Sequence, residues 1–520
     1  MKVDRYLLIA AILLGGCAVG PDYTPPDPQA SGLPQAWHAR LPHDGATTTL
    51  TSWWQQFDDP LMTELVTAAE QGHPSIDAAV GAIREARAEL AQTRGRFLPS
   101  ATASGSATRN GSSASGEAAL LSTTADTGTY SLLSGALDAS WELDIFGGAR
   151  RAYQSDSARL SAARADWHEA RVSLAAEVAD AYVQRRYCER LLALYRDTLD
   201  SRRQTERLTL LKLKAGFAAP SDEDQAQAAA YDSENQLIAQ EGSCGQDLNR
   251  LTALTGVAPA DLETRLAATA QATSPAGEPP ADGKATEPAA AWRAGIPVPL
   301  NPAVPGVPAQ ILSQRPDLGS AERALAASMA DIGVAQASRL PSLTLVGNIT
   351  VNRIRHVEGS SRSWYWGPSV SLPIFEGGAG LARVEAARAR YDQSLASYRS
   401  HVLSAVQEVE DALVRVDTST RRAEAARQSE RHYSALLASQ ENRYRLGATS
   451  LLELEDSRRL TLASRQALAA VQLEISSSWI ALYKAVGGGW ADDIGNPATP
   501  IPASSAAAAA PQAHVTGDGA

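Results

Sequence analysis

Phenylalanine and methionine are scarce in this chain, five and three among 520 residues. Alanine, serine, leucine, arginine and glutamate fill the long middle segments instead. That is the composition of long helices rather than of one thick core. Beyond the first residues no run of 18 consecutive apolar residues occurs, so any membrane crossing has to be made by strands. Positive charge is in deficit: the net charge is −11 and the pI about 5.4, which argues against a nucleic-acid partner. The eight histidines are scattered without HExxH spacing, and no G-x-S-x-G elbow is present. The run "GGAGLA", from Gly377, reads as a helix entry rather than a cofactor loop. No enzyme activity, metal or cofactor is expected.

Of the features present, the first is at the N-terminus. Lys2 and Arg5 precede a short apolar run, Leu7 to Leu14, and then Gly15, Gly16 and Cys17. A charged start, a short apolar stretch and small residues read as a signal peptide over 1–16. Ending in Leu-Gly-Gly-Cys, it resembles a bacterial lipobox, with Cys17 as the lipidated first residue of the mature chain. Ala18 stands where an aspartate would suggest inner-membrane retention, which favours the outer membrane.

The rest of the chain is a duplication. "HPSIDAAVGAIREARAELAQTRGRFLPS", from His73, aligns without a gap on "RPDLGSAERALAASMADIGVAQASRLPS", from Arg315; Pro74 and Pro316, like Pro99 and Pro341, are 242 apart. Each block reads as a helix that ends before a Leu-Pro, where a strand begins. The organisation expected is a lipid-anchored segment over 17–60, a first repeat over 61–256, a Pro/Ala-rich linker over 257–310, a second repeat over 311–489 and a disordered tail over 490–520.

After each Leu-Pro the sequence alternates. Leu343, Leu345, Gly347, Ile349 and Val351 interleave with Thr344, Val346, Asn348, Thr350 and Asn352. The same period spans Trp364 to Ile374, and Leu137 to Ile145 in the first copy. Loops are expected at roughly 110–129 and 353–363. Strands of about ten residues with one apolar and one polar face mark a transmembrane β-barrel. A glycine pair, Gly147-Gly148 or Gly377-Gly378, then converts strand to helix, because glycine accepts the backbone angles of a sharp change. In the second copy Tyr391, Leu395, Tyr398, Val402, Ala405, Val409, Ala412 and Val416 form a heptad seam. Helical character runs to tip glycines, Gly216 and Gly447, and returns in another long helix. Each repeat is thus a β-hairpin joined to a long α-hairpin. Four strands cannot close a barrel or hide their edges, so an oligomer is required, and three copies would give twelve strands.

This organisation resembles the TolC-type outer-membrane factor family, in the NodT- and OprM-like lipoprotein branch that serves resistance-nodulation-division (RND) efflux pumps. The resemblance rests on "CAVGPDYTPP", "WWQQFDDPLMTELV", "LSQRPDLGSAERALAASMADIGVAQASRLPSLTL" and "YRLGATSLLELED", and covers nearly the whole mature chain. It implies an α+β membrane protein. The family forms a homotrimer whose twelve-stranded outer-membrane β-barrel continues into a periplasmic α-helical barrel. It is a passive exit duct docked to a periplasmic adaptor and an inner-membrane pump. Type I protein secretion is the alternative within the same class. A coiled-coil spacer would explain the helices but not the strands.

Two site expectations follow. Cys188 and Cys244 each lie 28 residues from Gly216, at one level of an antiparallel helix pair. In the oxidising periplasm they are expected to form a disulfide, which closes a loop and stabilises by about 4 kcal/mol in the chain-entropy account. The family resemblance also implies a gate at the tips. Tyr444 and Asp222 match the residues that hold the helix pairs together when closed, whereas Thr449 stands where the TolC pattern has a second, arginine link. Glu453 and Asp456 match an acidic ring, and Leu452 an apolar constriction.

Overall fold

A computed structural model describes residues 18–26, 37–39, 50–111, 129–273, 295–299, 314–355 and 359–488. Cys17, the signal peptide and the tail after 490 lie outside the described residues. In each repeat a 22-residue helix precedes the strands; in the first copy it is α2 (Pro74–Gly95), which follows the 13-residue α1 (Pro60–Gly72). Strands β1 (Ser100–Gly111) and β2 (Thr129–Leu143) follow, then α3 (Gly148–Lys214), α4 (Pro220–Thr255) and α5 (Pro259–Thr273). The second copy runs α6 (Pro316–Ala337), β3 (Ser342–Ile354), β4 (Ser361–Ser371), α7 (Ala379–Arg445) and α8 (Leu451–Ala485). Both β1 and β3 start at the residue after the Leu-Pro. Both α3 and α7 have 67 residues, a contour of about 100 Å at 1.5 Å per residue.

The chain divides into two compact units, and each draws on both repeats: one on 82–163 and 320–399, the other on 164–319 and 400–520. In the first unit the strands form one antiparallel sheet in the order β1-β2-β3-β4. Its central seam joins the repeats, Leu137 opposite Ile349 and Trp141 opposite Leu345. One face carries Leu137, Trp141, Leu345, Ile349, Val351 and Trp364, all exposed on the isolated chain. The other is polar; there Asn348 donates to Asp138 at 2.7 Å.

The strands depart from the sequence expectation at their ends. At the helix-proximal end β4 stops at Ser371, and Pro373, which cannot donate to a ladder, leaves Ile374 and Phe375 about nine-tenths exposed. Likewise Ile145 falls past the end of β2. At the opposite end the ladders run further than the loops assigned there: Arg353 and Arg362 are in strands.

At the first joint Gly147 has φ +79°, and a Cβ there would lie 2.9 Å from the Ala18 backbone. The chain just after the proposed anchor packs on that turn, with Val19 N donating to Phe146 O at 3.0 Å. Buried Arg151 holds it there, donating to the Val19 and Gly20 carbonyls and pairing with Asp22 at 2.8 Å. Asp144 caps the start of α3 by accepting from Ala149 and Arg150 N–H groups. At the second joint Gly377 and Gly378 have φ +61° and +90°.

In the second unit the tryptophan segment forms the core. A 3-10 helix at Leu50–Phe57 buries Trp53 completely against Trp479, ring centroids 5.7 Å apart, and Trp54 packs tilted against Tyr483, centroids 4.5 Å apart. Asp59 caps α1 through Met62 N and accepts from the Tyr182 hydroxyl at 2.7 Å. The heptad seam of α7 is buried from Tyr398 to Val416. The expected linker begins as a helix: α5 buries Leu262 and Leu266.

Candidate functional site

The two helix tips are the same turn built twice. Gly216 and Gly447, at φ +79° and +75°, each follow a helix whose last carbonyls are closed by the next residue: Phe217 N donates to Lys212 O and Ala448 N to Arg443 O, both at 2.8 Å. Four residues past each glycine the return helix begins. In the second copy Ser450 and Glu453 form a reciprocal capping box, at 3.2 and 3.3 Å. In the first, Ala219 has no acceptor, and Asp222 closes half a box by accepting from Ala219 N at 3.2 Å. Asp222 and Glu453 are therefore equivalent positions of the duplication.

That geometry redirects the Tyr444 contact. Tyr444 is buried, and its hydroxyl meets Thr209 Oγ1 on α3 at 3.2 Å rather than Asp222, whose carboxylate is engaged at its own helix start. The ring packs with Ala226, Leu451 and Leu454 and carries Lys212 Nζ 4.0 Å from its centroid. Leu452, Glu453 and Asp456 occupy the exposed face of α8, with Leu452 66 % exposed. Asp456 is paired with Arg459 at 2.7 Å, in an exposed contact of small energetic weight. Glu453 has its carboxyl held below the usual glutamate range, first by the Thr449 hydroxyl and then by the Ser450 N–H.

A second polar contact joins the hairpins one turn further in, and sequence reading missed it. Glu455 points to the buried side of α8, where it pairs with Arg458 at 2.7 Å. Its other oxygen lies 3.2 Å from Arg202 Nε on α3, misaligned for a hydrogen bond and therefore an ion pair only. Arg458 also donates to Thr205 Oγ1 at 2.8 Å, and Arg202 to Ser233 Oγ and Ala229 O on α4. One carboxylate thus holds two buried guanidiniums from different repeats. A signal existed in the spacing. Leu451, Leu454, Arg458 and Thr461 follow one another at 3-4-3 intervals on α8, and Arg202, Thr205, Thr209 and Lys212 do so on α3. These are seam positions, and on α3 and the later turns of α8 they are occupied by polar side chains.

Further from the tips, Cys188 and Cys244 Sγ atoms are bonded, with Cα atoms 5.6 Å apart. Arg185 beside them donates to the Cys244 carbonyl at 2.6 Å. Cys188→Ser is expected to lower the midpoint of thermal unfolding in an oxidised sample, and the difference from the parent should vanish under reductant. Differential scanning calorimetry with and without reductant checks it.

Among the described residues no cluster of three or more His, Cys, Asp or Glu side chains could hold a metal ion, and no helix is long and apolar enough to cross a membrane. Sheet, joints and tips together are those of an outer-membrane channel protomer. The model of the outer membrane efflux protein family matches residues 65–257 and 307–488. The chain is 32 % identical over 499 residues to nodulation protein T of Rhizobium leguminosarum bv. trifolii, covering 94 % of this chain and 98 % of that one. It is 30 % identical over 500 residues to the toluene efflux pump outer membrane protein TtgC of Pseudomonas putida, covering 94 % and 96 %. The solved outer-membrane channel OprN superposes with a TM-score of 0.75 at 30 % identity, covering 91 % of this chain and all of that one. The chain belongs to the outer membrane efflux protein family, and it is an outer-membrane protein.

Proposed function

We propose that the protein is the exit duct of a tripartite RND-type efflux system, carrying small toxic compounds out of the cell. The observation that supports this most is the sheet: four strands with one apolar and one polar face, and with edges β1 and β4 unpaired among the described residues. Three copies pairing β1 on β4 make a closed twelve-stranded wall with a wet interior. The helix tips are its gate, closed by the Tyr444–Thr209 and Glu455–arginine contacts. An adaptor protein opens them and an inner-membrane pump supplies the energy. Cys17 carries the lipid. Purified protein is expected to form a trimer that conducts ions across a planar bilayer, and a deletion strain to become sensitive to small toxic compounds. A strain that instead loses export of a protein, with unchanged susceptibility, would place the duct in type I secretion.

Two further results are expected from this reading. Palmitate label enters the parent protein and not Cys17→Ala; equal labelling of both removes the anchor. Glu453→Gln with Asp456→Asn lowers the cation-to-anion permeability ratio measured from reversal potentials. Because Glu453 is held below the ordinary carboxyl range, its deprotonated charge persists as pH falls through the range where exposed glutamates protonate. The cation selectivity that Glu453 alone confers in the Asp456→Asn channel should therefore persist to lower pH than an ordinary exposed glutamate would allow.

A further inference from the structure

The apolar face of the sheet ends in arginines. Along β3 the positions of that face are Leu343, Leu345, Gly347, Ile349 and Val351, and the next two are Arg353 and Arg355. Arg109 on β1 lies opposite Ser131, whose carbonyl accepts from Arg355 N at 2.8 Å, so Arg109 and Arg355 flank one row across three strands. Arg362 on β4 is opposite Val351. All four are on the face that carries the leucines, isoleucine and tryptophan, not on the polar face. All four are exposed, and none has a side-chain hydrogen bond or ion pair to another described residue. Arg109, Arg353 and Arg355 line a cavity of about 560 Å³ floored by Ala107 and Leu133.

The height of this band is informative. Leu343 to Arg353 is ten residues, about 33 Å of strand, or about 25 Å of height at the usual tilt of barrel strands. That is the thickness of the apolar band of an outer-membrane barrel. The helices join the other end of the sheet, at Leu143 and Ser371, so the arginines stand at the outer margin. A guanidinium on a lipid-facing surface needs an anion, and its fork geometry suits phosphate.

We propose that Arg109, Arg353, Arg355 and Arg362 bind the phosphates of an acylated, phosphorylated glycolipid of the outer leaflet. Its acyl chains lie on the apolar face below, along Leu133, Ile349 and Val351. The continuity of arginine row and apolar face selects a lipid over a soluble anion, because a free phosphate would use only the upper half. This rests on outer-membrane localisation, not on the efflux reading.

The test uses the purified full chain in detergent, with native mass spectrometry and fluorescence titration. The probes are bisphosphorylated lipid A, the same lipid A stripped of phosphate, and inorganic phosphate. The parent is expected to retain bisphosphorylated lipid A, and the fourfold Arg→Gln variant to bind it about a hundred-fold more weakly. The fourfold Arg→Lys variant should keep part of the affinity. Equal affinity for phosphate-free lipid A, displacement of lipid A by inorganic phosphate, or a fourfold Arg→Gln variant within about two-fold of the parent would each overturn the proposal. If the fourfold Arg→Gln variant does not assemble, the single variants decide: weaker binding in each supports the site, and parental binding in all four removes it.

Discussion

Glu455→Gln is expected to unlatch the helix tips. Glu455 is the only carboxylate within ion-pair distance of both Arg202 and Arg458 among the described residues, and all three side chains are less than 15 % exposed. Removing its charge leaves two largely buried guanidiniums facing each other, one from each repeat, with only the longer 3.7 Å pair of Arg458 to Glu441 remaining. Breaking such a buried pair costs about 3 kcal/mol or more. At 1.4 kcal/mol per factor of ten, that shifts the ratio of loosened to closed tips by about a hundred-fold. The neighbouring Glu453→Gln, on the exposed face, should not change that ratio measurably. Single-channel recordings of purified protein read the effect as open probability, and vancomycin susceptibility reads it in cells. Parental open probability in Glu455→Gln would show that the tips are held elsewhere. Tyr444→Phe removes only one neutral hydrogen bond and should loosen them by about 1 kcal/mol.

Gly488→Ala is expected to abolish accumulation of folded protein. Gly488 has φ +67°, and a Cβ there would lie 2.5 Å from Val172 Cγ2 and 3.0 Å from its Cγ1. Left-handed backbone alone costs an alanine about 1–2 kcal/mol. Overlap with a buried β-branched side chain adds about 1–3 kcal/mol more, because Val172 is packed in the core and stiff at χ1. The two causes can be separated. Val172→Ala in the same chain removes both offending methyl groups and should recover part of the yield of folded protein, leaving the backbone cost and a 3.1 Å approach to the Tyr483 hydroxyl. Heat-modifiable migration on gels and membrane yield measure both variants. No recovery by Val172→Ala would mean that the overlap with Val172 is not what forbids a side chain there.

What the sequence disclosed and what it hid divide along physical lines. The duplication, the strands after Leu-Pro and the helices after Gly-Gly were legible because each is written in local chemistry: proline, glycine and a period of two or seven. The seam from Tyr398 to Val416 was legible for the same reason. Strand ends were not, since a ladder continues as long as a neighbour offers carbonyls, and Arg353 and Arg362 give no sign of being paired. At the tips, the family likeness pointed to Tyr444 and to a partner on the first hairpin, but not to which residue. Asp222 is engaged at its own helix start, as Glu453 is in the second copy, a competition visible only once the helix start is fixed. Glu455 was passed over between two exposed acids, although it alone of the three faces inward.

The central ladder between β2 and β3 has a consequence for how the ring is put together. Because it joins the two repeats inside one chain, the strands left unpaired are β1 of the first repeat and β4 of the second. A closed ring then contains two kinds of boundary in alternation: first repeat to second within a chain, and second to first between chains. Had the halves never been fused, six identical units around a six-fold axis would have produced one kind. Fusion placed every other boundary within a single chain and freed the halves to diverge. Only one half carries the cystine, only the other carries Tyr444, and the pore's symmetry drops from six-fold to three.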